Sequence, residues 1–159
     1  MHAELSRSVF AAGRTTGPEM GTCERILQDH ATKQSLVHHT DHAALLERSG
    51  KILLATTRYA MAVQAYGNWQ TLLNESLVRA ATICYMQAHD YPLRTVKAML
   101  VEELSRNFYW MPELVGLLHE YERERSAYPT FASFCPRIAA FFDGVAETQV
   151  NRIEAVLQQ

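Results

Sequence analysis

The sequence predicts an all-α protein, a bundle or coiled-coil-like assembly of long amphipathic helices. Three observations predict it. Apolar residues recur at steps of three and four through most of the chain. Sustained period-two alternation, the pattern of half-buried strands, is missing. Asp143-Gly144, a pair that can close a hairpin, falls inside a helical pattern instead. At 159 residues, one domain is the natural expectation, and the chain is long enough to bury a core without disulfides or a metal.

Residues 1–22 contain Gly13, Gly17, Pro18 and Gly21, and we expect a flexible N-terminal tail there. Residues 23–159 should then form a single helical domain. The sparse apolar set Ile26, Leu27, Leu36 and Val37 allows a short helix over about 23–37. Thr40 or Asp41 can cap the next helix, because its side-chain oxygen can accept from a free backbone N–H of the first turn. Leu45, Ile52, Tyr59, Tyr66, Leu73 and Ala80 then follow at steps of seven. This spacing predicts a helix over 41–89, about 73 Å long if unbroken. Gly50 and Gly67 each cost about 1 kcal/mol relative to Ala but do not forbid continuity.

Asp90-Tyr91-Pro92 reads as a stop and restart, with Pro92 at the first helical position and Asp90 or Tyr91 as cap. The second helix, 92–125, aligns Leu93, Val96, Leu100, Leu104, Asn107, Met111, Leu114, Leu118 and Tyr121 on one face. Arg94, Lys97, Glu102, Arg106 and Glu113 fall on the opposite, solvated face. Pro112 lies inside this run and predicts a kink or a break. Ser126–Pro129 interrupts the pattern before a third helix over 130–158, in which Pro136 and Gly144 are candidate points of division.

The formal charge of −2 gives no general bias toward nucleic acid or an anionic membrane, and no Lys/Arg cluster supplies a local one. Cys23, Cys84 and Cys135 are widely spaced, which argues against a disulfide framework and for a reducing compartment. No run approaches the roughly 18 apolar residues of a membrane span, and the start lacks the pattern of a secretory signal. The expected location is therefore cytoplasmic.

Candidate chemistry is sparse. His38 and His42 stand one turn apart in His38-His39-Thr40-Asp41-His42, a spacing that can chelate a metal, yet third and fourth ligands are not identifiable. A solvated helix start explains the cluster better. Glu102-Glu103 and Glu120, Glu122 and Glu124 lack the Glu-x-x-His partners of carboxylate-bridged metal bundles. His89-Asp90 has no nucleophile elbow beside it, and a capping and hinge role is expected. Cys84 lies in an apolar stripe and should behave as a small buried hydrophobe. No catalytic residue, metal or cofactor is expected. The aromatic residues, above all Phe108-Tyr109-Trp110-Met111, cover more than one helix face and suggest either core packing or docking to an apolar surface.

Three segments carry a family resemblance: Tyr66-Gly67-Asn68-Trp69-Gln70-Thr71-Leu72-Leu73-Asn74-Glu75-Ser76-Leu77, the break at Asp90-Tyr91-Pro92-Leu93, and Val101-Glu102-Glu103-Leu104-Ser105-Arg106-Asn107-Phe108. Over about residues 45–125 the chain resembles the phasins, proteins that coat polyhydroxyalkanoate granules. The resemblance implies a non-enzymatic protein whose amphipathic helices lie on a hydrophobic polymer surface, with location at the granule. Tyr59, Tyr66, Trp69, Leu73, Leu77, Leu100, Leu104, Phe108, Trp110 and Met111 would form the face for that surface or for self-association into a homo-oligomer. The alternative is a helical adaptor or regulatory protein that binds a protein partner.

Overall fold

In a computed structural model of the protein, the described residues are Gly21, Ile26 and residues 40–159. Gly21 and Ile26 apart, the expected tail over 1–22, the helix over 23–37 and the pair His38 and His39 lie outside them. The described residues form six helices: α1 (Thr40–Thr56), α2 (Arg58–Val63), α3 (Trp69–Ala88), α4 (Leu93–Ser105), α5 (Met111–Arg123) and α6 (Phe131–Leu157). No strand occurs among the described residues, and the fold is all-α.

The single helix expected over 41–89 is replaced by α1, α2 and α3. The reason is local. At the end of α2 the chain enters the left-handed region at Ala65 (φ 63°), and the Tyr66 N–H returns to the Met61 carbonyl at 2.9 Å. This six-to-one bond, with Ala65 N–H to the Ala62 carbonyl at 3.1 Å, is a Schellman termination. The Asn68 side chain then accepts from the Thr71 N–H at 2.7 Å and starts α3. Asp90 (φ 55°) closes α3 through Tyr91 N–H to Met86 C=O, and Asn107 (φ 68°) closes α4 through Phe108 N–H to Glu103 C=O. Three helices thus end by one device, and none of the three left-handed residues is glycine. Asp90 therefore ends α3 and does not cap the next helix, and Pro92 itself occupies the N-cap of α4.

The break expected near Pro112 is present: residues 106–110 separate α4 from α5, and Pro112 sits in the first turn of α5, where its missing N–H costs nothing. The opposite outcome holds for α6. It runs unbroken for 27 residues past both Pro136 and Gly144. Thr130 and Ser133 form a reciprocal capping box at its start. Pro136 lies only one turn further in, so its lost bond falls in the first turns of the helix.

Helix α3 is the central element. From Leu72 to Met86 it is buried on almost every face, as a helix surrounded by others must be. It packs against α1, α5 and α4, while α1 also lies along α6. Gly50 permits the approach of α1 to α3: a Cβ there would stand 2.7 Å from Trp69 Cε3 and 3.1 Å from Leu73 Cδ1. The second half of the core is aromatic. Phe134 packs against Tyr121 and Tyr128 at centroid distances of 4.9 Å, with Phe142 also fully buried.

Candidate functional site

Helix α4 buries Val96, Met99 and Glu103, and leaves Leu93, Val101 and Leu104 exposed. Its inner face is therefore rotated from the Leu93–Val96–Leu100–Leu104 line that the spacing alone suggests. The cause is a charge drawn inward. Arg79 of α3 donates through Nη1 to both Glu103 carboxylate oxygens, at 2.9 and 2.7 Å. Both side chains are sealed from solvent, at 6% and 0% exposure.

Arg79 is enclosed on its other sides as well. Its guanidinium carbon lies 4.9 Å from the Phe108 ring centroid and 5.8 Å from that of Tyr66, within reach of the attraction between a cation and an aromatic face. Arg79 Nη2 donates to the Tyr66 hydroxyl at 2.7 Å, and that hydroxyl donates to Glu75 Oε2 at 3.2 Å. Arg79 Nε stands 3.7 Å from the same carboxylate oxygen and makes no hydrogen bond. Burial works against the Arg79 charge, but the Glu103 carboxylate and the Tyr66 hydroxyl together more than offset it, so the pKa is raised. Burial also raises the Tyr66 pKa, opposed by Arg79 and reinforced by Glu75, and the phenol stays neutral. Residues 66, 75, 79 and 103 thus form a closed polar cluster at the junction of α2, α3 and α4. Among the described residues, no group of three or more His, Cys, Asp or Glu side chains could hold a metal ion.

Exposed apolar side chains stand on both α2 and α4. Tyr59 and Val63, one turn apart on α2, are 90% and 89% exposed. The C-terminal end of α2 meets that of α4, where Gln64 Nε2 donates to the Arg106 carbonyl at 3.0 Å. On α4, Val101 and Leu104 face outward. Glu102 and Arg106 pair at 2.6 Å beside them.

The face expected from the sequence is thereby divided. Trp69, Leu73, Leu77, Phe108, Trp110 and Met111 are buried in the core, and Tyr66 and Leu100 are half-buried. Tyr59 and Leu104 alone of that set remain exposed. Trp110 shows why the aromatic run turns inward: its Nε1–H donates to Ser76 Oγ at 3.1 Å, and Ser76 in turn donates to the Leu72 carbonyl at 2.8 Å. Its polar end is satisfied inside the protein and needs no water. Six of the ten side chains are therefore turned into the core in this fold, and Tyr59 and Leu104 are the ones left on the outside.

The Arg79–Glu103 pair was not anticipated, yet a signal existed. Arg79 follows Leu72 and Ser76 and precedes Ile83 at helical spacing, so a charge stands on the inner stripe. Elsewhere the structure agrees with the residue-level reading. Cys84 is buried, and His89 forms the C-cap of α3 with Nδ1 2.9 Å from the Tyr85 carbonyl.

Residues 19–141 match a family described as a domain of unknown function, DUF4932, and the chain belongs to that family. No curated protein and no solved structure matches the chain.

Proposed function

We propose that this protein is a non-catalytic helical adaptor that binds a protein partner through the apolar surface of α2 and α4. The observation that carries the reading is the near-complete exposure of Tyr59 and Val63 on α2, with Val101 and Leu104 exposed on α4, two helices whose C-terminal ends meet at the Gln64–Arg106 hydrogen bond. A side chain such as Tyr59 makes a large apolar contact with one polar end left wet, which suits a protein interface. The buried Arg79–Glu103 pair ties α4 to α3. The reading supposes a cytoplasmic setting. Consistent with this, no helix among the described residues is long and apolar enough to cross a membrane.

A photo-crosslinking amino acid placed at Val63, with Lys97 as an exposed control position, tests the reading in cells. A discrete protein adduct from position 63, lost on Tyr59→Asp, is the expected result. Co-sedimentation of the purified protein with polyhydroxybutyrate particles is the counter-test. Selective binding to the polymer, lost on Tyr59→Asp with Val63→Asp, would replace the adaptor reading with granule coating. If neither experiment gives binding, the α2–α4 surface has no such role.

A further inference from the structure

Between α5 and α6 lies a groove of about 590 Å³. Trp110, Phe141 and Val145 give it apolar walls, and Gly144 opens its floor. A volume of this size suits a small organic ligand more than a protein partner. A helix interior disfavours glycine by about 1 kcal/mol relative to Ala, yet Gly144 stands in the middle of the longest helix. A Cβ at that position would meet nothing within 4 Å, so the space above it is open.

The groove carries two charges, and they are not equivalent. Glu113 lies in the first turn of α5, where the positive end of the helix already compensates a carboxylate. Arg152 lies more than a turn before the end of α6 at Leu157. Its neighbours three and four residues away are Thr148, Gln149, Ala155 and Val156, none of them acidic. No ion pair to Arg152 occurs among the described residues. Tyr109 also lines the groove, with its hydroxyl closed off from solvent beside the Thr56 hydroxyl. Burial raises its pKa, with the Thr56 hydroxyl and Arg152 acting in the opposite direction, so it remains a neutral phenol. Glu113 likewise has no ion pair among the described residues, but the helix end partly offsets its charge, so the less compensated charge of the groove is the positive one on Arg152.

We infer that the α5–α6 groove binds a small apolar carboxylate, with the carboxylate at Arg152 and the hydrocarbon over Gly144 against Trp110, Phe141 and Val145. Calorimetric titration of the full chain with decanoate tests this, with decanol and decylamine as matched controls. Decanoate should bind at least tenfold more tightly than either control. Arg152→Gln should weaken decanoate at least tenfold while leaving decanol unchanged. Gly144→Phe should abolish binding by filling the floor, and Gly144→Ala should weaken it less. Circular dichroism melts identify any variant that has lost its fold, and only folded variants enter the comparison. Equal binding of decanoate and decanol overturns the charge assignment. Undiminished binding in folded Gly144→Phe overturns the site, and failure of decanoate to bind the wild-type chain overturns the proposal.

Discussion

The two halves of the core are held by different physics. At the α3–α4 junction, an ion pair with 6% and 0% exposure, in which Arg79 Nη1 engages both Glu103 oxygens, is wrapped by Tyr66 and Phe108. At the α5–α6 end, Tyr121 packs edge-to-face on Phe131 at 5.4 Å and tilted on Phe134 at 4.9 Å, with no buried charge among them. The aromatic half gains from area and close contact, which vary smoothly with side-chain volume. The ionic half depends on both partners being present at once, since a buried charge without its counter-charge is far worse than neither. The same fold thus contains a region that should tolerate repacking and one that should not.

The strongest way to break this comparison is Glu103→Ala. It strands the Arg79 guanidinium in the core and should destabilise by about 3–5 kcal/mol, read from urea unfolding midpoints. The double change Arg79→Met with Glu103→Leu should cost less than Glu103→Ala alone. A double variant worse than the single would mean that packing, not charge, governs the junction. In the aromatic half, Phe142→Ala should also cost about 3–5 kcal/mol, but through a cavity, so Phe142→Leu should recover most of it. Such rescue by an apolar residue has no counterpart at Glu103.

A smaller effect separates tight from loose helix contacts. Gly50→Ala should destabilise by about 1–3 kcal/mol, because the new Cβ meets Trp69 at 2.7 Å. Gly116→Ala, on the exposed side of α5 with open space, should stabilise by about 1 kcal/mol. Opposite signs in thermal melts are expected, and equal signs would contradict the close approach of α1 to α3. Thr130→Ala, which removes the capping box of α6, should cost about 1 kcal/mol by the same measurement.

The smallest effect at neutral pH concerns the aromatic half in alkali. Burial pushes the Cys135 thiol from 9.0 up to about 12. A pKa raised on folding means that the folded state favours the protonated thiol. This contribution to stability is complete below pH 9 and is lost as pH rises toward 12. Unfolding midpoints of Cys135→Ala should therefore fall less steeply over pH 9–12 than those of the wild type. A residual slope should persist, because the Tyr66 and Tyr109 pKa values are raised in the same sense. Equal slopes would place the Cys135 thiol in contact with solvent.

Much of the architecture was legible in the residues. The all-α class, the break at Asp90-Tyr91-Pro92, the interruption before Pro112 and the restart at Thr130 all follow from local chemistry: helical apolar spacing, missing N–H groups and side-chain caps. Two breaks inside 41–89 were less visible. The Schellman turn at Ala65 lacks the glycine that usually marks such a position, and Gly67 beside it does not take the left-handed conformation. Asn68 was the available signal, as a capping residue immediately before an apolar run.

What the sequence determined by itself is the helical class and the breaks at Asp90-Tyr91-Pro92, before Pro112 and before Thr130, because caps and missing N–H groups act on neighbours within about four residues. What only the tertiary structure decided is which face of each helix turns inward. On α4 the apolar count favours Leu100 and Leu104, yet Glu103 takes the buried position. Its partner Arg79 lies 24 residues away on α3, and no local rule contains that distance. The same holds for the aromatic residues singled out as a surface: Trp110 is held inside by Ser76, 34 residues earlier. Burial of a polar group is decided by whether a partner waits across the interface, and that partner is set by how the helices pack.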